Sequence, residues 1–274
     1  MVKVGKISIG DGRPLVLIAG PCVVESREMV LKTAERIRKI AAKHHMAFIF
    51  KASYKKANRT SGESFSGIDI DKALNILGEV KEEIGVPVLT DVHSEAEVEP
   101  AAEVVDVLQV PAFLCRQTEL LHAVGRTGKV VNIKKGQFLA PEDIGHQAKK
   151  VAATGNRNIM LTERGATFGY HNLVVDMRSL VIMRKTGYPV VLDVTHSVQL
   201  PGGRRNTSGG QPEFIFPIAR AGVAVGIDGL FVETHPDPRR ALSDAASQLK
   251  LDALEDLLKQ VLLLDAIVKK NFEN

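Results

Sequence analysis

The residues able to do chemistry in this chain gather at the ends of short apolar runs. Cys22 follows LVLIAG. Lys51, Lys56, Asn58, Arg59 and Thr60 lie at and beyond the end of AFIFKAS, and Asp91 and His93 close PVLTDVH. Gln109 lies in VDVLQV, Lys134 in VVNIKK, Arg164 in NIMLTER, His196 in PVVLDVTH, and Glu233 and His235 in GLFVETH. Taken singly, each is as readily a strand-end residue meeting water. Lysines and arginines closing several different runs, however, would converge on one mouth and create a field suited to more than one anionic group. Lys51 and Lys134 admit a second chemistry, because a desolvated lysine could form a Schiff base with a carbonyl substrate. Phosphate binding is the plainer role, and Arg59 and Arg164 favour it.

Cys22, His196, Glu233 and Asp244 form another set, distant in sequence but lying at or beyond the ends of the first, seventh and eighth β-like runs. One thiolate, one imidazole and two carboxylates suit Zn²⁺, Fe²⁺, Mn²⁺ or Co²⁺. No CxxC or HExxH pair supports this locally, and a lone cysteine beside Gly-Pro is more often a small core residue. Both readings of Cys22 stand on spacing alone. After His196, QLPGGRRNTSGGQPEF (199–214) carries four glycines and two arginines. That composition suits a lid bringing Arg204 or Arg205 toward a phosphate, or a solvated loop.

Eight runs must position these residues: 15–20, 47–53, 87–92, 105–110, 130–135, 158–164, 189–196 and 229–235. Amphipathic stretches alternate with them, among them 26–44, 69–85 and 251–270, with apolar residues at helical spacing. Alternation of strand and helix argues for a parallel sheet. Eight units and the absence of a GxGxxG or P-loop motif favour a (β/α)₈ TIM barrel over an open doubly wound sheet. A single domain over 1–274 is expected, because no linker divides the chain. Closure would make the first strand the neighbour of the eighth and bring the four possible metal ligands together. The leading VKVGKISIGDGRP reads as a short N-terminal β-hairpin around its Gly-Asp-Gly turn, placed over the bottom of the barrel.

Composition excludes several classes. Net charge is only +4, Trp is absent and aromatics are 5%, so no basic stripe with stacking platforms suggests nucleic acid. The most apolar late segment, VLLLDAIV (261–268), is too short for a membrane span and contains Asp265. Two cysteines and an opening without a secretory pattern make the reducing cytoplasm the expected compartment. Small phosphorylated ligands are the expected partners.

The segments IAGPCVVES, FKASYKKANRTSGESF, TDVH, LQVPAFLCRQT, NIKKGQFLAPED, LTERGATFGYHNLVVDMRSL, DVTHSVQLPGG and FVETHPDPRRALSDAASQL resemble those of the 3-deoxy-D-manno-octulosonate 8-phosphate synthases. The resemblance covers nearly the whole chain. It implies a (β/α)₈ barrel and a transferase that joins phosphoenolpyruvate to arabinose 5-phosphate with release of phosphate, in lipopolysaccharide biosynthesis. The related 3-deoxy-D-arabino-heptulosonate 7-phosphate synthases use erythrose 4-phosphate and usually carry Lys-Pro-Arg-Ser/Thr after the second strand. Here the run is Lys56-Ala57-Asn58-Arg59-Thr60, with Asn58 in place of proline.

The resemblance implies that Lys56, Gln109, Lys134 and Arg164 hold phosphoenolpyruvate, with Lys51 beside them. Arg59, Thr60 and, from a neighbouring subunit of a homotetramer, Arg116 would grip the sugar phosphate, while Asn58 and Asp91 contact its hydroxyls. It implies a metal-dependent class, because Cys stands at position 22 where metal-independent members have Asn; Cys22, His196, Glu233 and Asp244 would then be ligands. Departures are local: Thr60 where Ser is commoner, Lys55 where acidic residues occur, and Lys250 in place of a common proline.

Overall fold

The computed structural model describes residues 1–57, 65–204 and 207–271. Eight parallel strands pair in sequence order: β1 (Val16–Gly20), β2 (Phe48–Lys51), β3 (Val88–Asp91), β4 (Val107–Val110), β5 (Val130–Lys134), β6 (Ile159–Glu163), β7 (Val190–Asp193) and β8 (Gly229–His235). β8 pairs with both β7 and β1, setting Phe231 opposite Asp193 on one side and opposite Ile18 on the other. The sheet therefore closes on itself, as the eightfold alternation requires.

Among the described residues, eight α-helices surround it: α1 (Arg27–Lys43), α2 (Ile70–Glu79), α3 (Glu95–Val104), α4 (Thr118–Arg126), α5 (Ile144–Ala152), α6 (Met177–Arg184), α7 (Ile215–Val225) and α8 (Leu254–Asn271). The start of α1 is fixed locally, since the Ser26 side chain accepts from the Met29 N–H. Its buried residues Val30, Thr33, Ala34, Ile37 and Ala41 recur at helical spacing and form one stripe toward the sheet. The expected helix over 69–85 is α2 continued by a π-helical turn, Val80–Ile84, which stops at Gly85 with φ +71°. No helix among the described residues is long and apolar enough to cross a membrane.

Strand parity divides the apolar residues into two cores. Outward residues such as Leu17, Phe50, Leu108, Ile133, Leu161 and Leu192 pack under the helices. Inward residues Val16, Ile18, Ile49, Leu89, Val107, Val130, Met160, Val191 and Phe231 fill the barrel together with Val2, Val4 and Ile9. The last three belong to the N-terminal hairpin, Val2–Val4 with Ile7–Ile9, which thus seals the end where the strands begin. Its turn is not the expected Gly-Asp-Gly. Pairing of Val2 with Ile9 and Val4 with Ile7 puts the reversal at Gly5-Lys6, where Gly5 has φ +55°. Gly10-Asp11-Gly12, also at positive φ, redirects the chain toward β1.

The 199–214 segment is also more regular than a loop. Gln199–Arg204 and Thr207–Gly210 form a two-stranded antiparallel ribbon. Arg205 and residues 58–64, including Asn58, Arg59 and Thr60, lie outside the described residues.

Candidate active site at the mouth of the barrel

Along each inward face the residue type changes from apolar to polar toward the C-terminal end. Ile49 gives way to Lys51, Leu89 to Asp91, Val107 to Gln109, and Val191 to Asp193. Val130 is followed inward by Asn132 and Lys134, Met160 by Thr162 and Arg164, and Phe231 by Glu233. A period of two residues therefore carries this polar set into the same end of the tube. Gly20 allows β1 to close against β2: a Cβ there would stand 2.0 Å from the Lys51 carbonyl oxygen.

Buried opposite charges knit the mouth together. Lys51 Nζ is 2.6 Å from Glu233 Oε1 and 3.7 Å from Asp91 Oδ2, while Lys56 Nζ is 3.9 Å from Glu233 Oε1. Burial presses each lysine toward neutrality, but nearby anionic groups, Glu233 first at Lys51 and Cys22 ahead of Glu233 at Lys56, prevail and hold both above the usual lysine range. Glu233 and Asp91 stay below the carboxylate range, because the surrounding cations outweigh their desolvation. Lys134 Nζ lies 2.6 Å from Asp193 Oδ2 and 4.3 Å from the centroid of the Phe231 ring, with burial driving its pKa down against the pull of Asp193. Phe231 is thus an apolar floor beneath the ammonium groups.

Arg164 is buried, with Nη2 donating to Gln199 Oε1 at 2.8 Å. Its Nη1 is also buried and has no hydrogen-bond partner among the described residues. A desolvated guanidinium donor left unpaired is costly, and an arriving carboxylate or phosphate would satisfy it. Behind it, Glu163 accepts from the N–H groups of Arg164 and Gly165 and from Ser179 Oγ, with Lys135 Nζ at 3.5 Å. The turn that presents Arg164 is therefore fixed from within.

Barrel closure also assembles the possible metal ligands. Donor atoms of Cys22, Glu233 and Asp244 lie within 4.8 Å of one another. His196 Nε2 is 3.6 Å from Glu233 Oε2 and 3.8 Å from Asp244 Oδ2. Cys22 Sγ is 3.1 Å from Asp244 Oδ2, and burial followed by the Asp244 and Glu233 charges pushes its thiol pKa well up. A divalent cation would reverse that balance by favouring the thiolate. Asp244 itself adopts φ +48°, a backbone state uncommon outside glycine, which aims its carboxylate at the cluster. His196 is oriented from behind: its Nδ1 is 2.7 Å from Asp193 Oδ2 and its backbone N–H donates to Asp193 Oδ1 at 2.8 Å. With Nδ1–H donated to Asp193, the lone pair of the neutral imidazole tautomer would lie on Nε2, the atom facing Glu233 and Asp244. One thiol, one imidazole and two carboxylates in this geometry could hold a divalent transition metal.

Arg116 stands apart from this cluster, exposed on the segment between β4 and α4. His93 is tied to Glu97, with Nδ1 3.1 Å from Oε2, and His235 Nε2 lies 3.6 Å from Glu25 Oε2.

Residues 1–270 match the model of the DAHP synthetase I family. The chain belongs to that family. Similar proteins include one from Geotalea uraniireducens, 59% identical over 268 residues, and one from Trichlorobacter lovleyi, 58% identical over 268 residues, each match covering 98% of both chains. A third, from Syntrophotalea carbinolica, is 54% identical over 273 residues, 100% of this chain and 99% of the other. All three are named 2-dehydro-3-deoxyphosphooctonate aldolase. In this DAHP synthetase I family member, sequence reasoning missed Asp193, Asn132, Thr162, Ser53 and Gln199. Parity held the signal for three of them: Asn132 and Thr162 precede Lys134 and Arg164 by two residues, and Asp193 sits one inward step above Val191.

Proposed function

We propose that the chain condenses phosphoenolpyruvate with D-arabinose 5-phosphate and water to give 3-deoxy-D-manno-octulosonate 8-phosphate and inorganic phosphate. Full-length likeness to the 2-dehydro-3-deoxyphosphooctonate aldolases names the reaction. The observation that carries it within the site is Arg164, a buried cation with an unpartnered nitrogen at a mouth that also holds Lys51, Lys56 and Lys134.

In this reading Lys56, Lys134 and Arg164 bind the carboxylate and phosphate of phosphoenolpyruvate, with Lys51 holding Glu233 in place; Gln109, expected among these ligands, is fully buried and donates to Asp91 Oδ1 instead. C3 of the enol attacks the C1 aldehyde of the open-chain sugar phosphate while water adds at C2. The resulting hemiketal expels phosphate by C–O cleavage. The protein's task is to set two anions face to face and offset their repulsion, which is worth many orders of magnitude in effective concentration. Asp91 and Asn58 meet the sugar hydroxyls, and Arg59 and Thr60 meet its phosphate. Cys22, His196, Glu233 and Asp244 would hold a divalent ion, Zn²⁺, Fe²⁺, Mn²⁺ or Co²⁺. Such an ion, when bound, supplies Lewis-acid stabilisation of developing oxygen charge.

Arg116 reaches the sugar phosphate of a neighbouring active site in a homotetramer. Its exposure three residues from Phe113, which is 55% exposed, supports a subunit contact there. The protein acts in the cytoplasm on small phosphorylated substrates, without nucleic acid or membrane.

Phosphate-release kinetics with arabinose 5-phosphate and with erythrose 4-phosphate, before and after chelation, test the proposal. The expected result is turnover of the five-carbon sugar, lost on chelation and restored by added metal. Preference for erythrose 4-phosphate would overturn the substrate assignment, and full activity after rigorous metal removal would overturn the ligand assignment.

A further inference from the structure

Inside the barrel, side chains from the exit of β2 round to β6 form one line of hydrogen bonds. Thr162 Oγ1 donates to Asn132 Oδ1 at 2.7 Å, and Asn132 Nδ2 donates to Gln109 Oε1 at 2.8 Å. Gln109 Nε2 donates to Asp91 Oδ1 at 2.5 Å, and Ser53 Oγ donates to Asp91 Oδ2. Ser53, Gln109, Asn132 and Thr162 are fully buried, and Asp91 is 6% exposed. Only the Asp91 end meets the mouth.

The direction of this line is chemically determined. A carboxamide presents a donor on one side and an acceptor on the other, so each can be inserted in two senses. Asp91 is surrounded by cations, with Lys51 at 3.7 Å on the β2 side and Lys56 and Lys134 contributing from neighbouring segments, while burial lowers the pKa of the nearby His93 imidazole. An ionised carboxylate accepts only, which turns the Gln109 NH₂ toward it. The Gln109 oxygen then faces the Asn132 NH₂, and the Asn132 oxygen requires a donor, supplied by the Thr162 hydroxyl. Every buried polar atom along the line is satisfied in this sense, and the reverse sense would set a carbonyl oxygen against the carboxylate.

We propose that Asn132 and Thr162, which do not themselves reach the mouth, are positioning residues that lock the Gln109 amide and so hold Asp91 as an acceptor-only group for a hydroxyl of the aldose phosphate. This rests on the reading that Asp91 meets the sugar. It extends that reading by assigning selectivity to two residues behind the site. The orientation of Gln109 is passed along three strands, and a sugar must present a donor where Asp91 waits.

Three variants test the proposal: Thr162→Val, which is nearly isosteric but lacks the hydroxyl; Thr162→Ser, which restores it; and Asn132→Asp, which replaces the donor facing Gln109 with an acceptor. Initial rates are measured with each substrate varied in turn, beside Asp91→Ala. Thr162→Val and Asn132→Asp are expected to raise KM for arabinose 5-phosphate roughly tenfold, which corresponds to about 1.4 kcal/mol, with KM for phosphoenolpyruvate changed less than about twofold. Thr162→Ser is expected to restore the wild-type KM. Asn132→Asp is also expected to move the acid limb of kcat/KM for the sugar upward, as the flipped Gln109 oxygen disfavours ionised Asp91.

Equal rises in both KM values, or a Thr162→Val enzyme indistinguishable from wild type, would overturn the proposal. If Asn132→Asp fails to fold, the Val and Ser pair at position 162 decides alone. A normal sugar KM in Asp91→Ala overturns the underlying assignment of Asp91. A defective Asp91→Ala beside normal Asn132 and Thr162 variants overturns only the positioning line.

Discussion

Replacing Asp193 by Asn separates the two tasks of one buried carboxylate. Asp193 Oδ2 lies 2.6 Å from Lys134 Nζ and 2.7 Å from His196 Nδ1, and Oδ1 accepts from the N–H groups of Thr195 and His196. An amide can keep the backbone bonds through its oxygen, which turns its NH₂ toward Lys134 and the imidazole. Two charge-assisted hydrogen bonds are then lost, each worth about 1.5–3 kcal/mol. Lys134 retains the Phe231 ring at 4.3 Å, so the expected net loss is about 3 kcal/mol, at the lower edge for breaking a buried pair. Facing an NH₂, His196 Nδ1 becomes an acceptor, and its proton moves to Nε2, the atom 3.6 Å from Glu233 and 3.8 Å from Asp244. Retention of the divalent ion proposed for this site should therefore weaken roughly 10–100-fold. Urea denaturation gives the first quantity, and competition with a chromogenic chelator gives the second without reference to turnover. Wild-type metal retention in a folded Asp193→Asn protein would refute the tautomer argument, and an unchanged urea midpoint would refute the ion-pair argument.

Other substitutions probe separate joints of the structure. Gly20→Ala puts a methyl group 2.0 Å from the Lys51 carbonyl oxygen, whereas Gly78→Ala in α2 meets a Val104 methyl at an ordinary 3.6 Å. Denaturation should show the first destabilised by about 3 kcal/mol and the second stabilised by roughly 0.5–1 kcal/mol. Arg164→Lys keeps the charge but loses the fork that Gln199 aims, and steady-state kinetics should show a KM for phosphoenolpyruvate raised at least about tenfold. Although burial opposes it, hydrogen bonds from Tyr54, Lys55 and the His93 N–H lower the Glu97 pKa from 4.5 to about 2. That stabilisation is complete above pH 4.5 and is lost as pH falls toward about 2. The Tm gap between wild type and Glu97→Gln should narrow over the same interval.

How much was legible from sequence depended on whether local pattern or strand parity carried the information. The eight runs, their polar ends and the closure joining Cys22 to Glu233 follow from alternation and spacing, and the structure has them. The hairpin turn was misplaced because both Gly5-Lys6 and Gly10-Asp11-Gly12 are turn-forming, and only the Val4–Ile7 pairing decides between them. Gln199–Arg204 hid its ribbon because glycines and a proline lack the alternation that marks a strand. Asp193 lies inside the run 189–196, three residues before the His196 that marks its polar end in sequence. Its importance lies in the inward direction shared with Val191, and in Lys134 reaching it from a strand 59 residues away in sequence.

The hairpin at the opposite end gives the barrel a plumbing constraint. With Val2, Val4 and Ile9 seated on the innermost apolar layer, the tube is blind, and Phe231 lies between that stopper and the charged groups. Two incoming anions, one water, the long product and the departing phosphate must share a single doorway, so their traffic is serial. Whatever settles against the deepest cations sits beneath everything that follows it and is last to regain an open path.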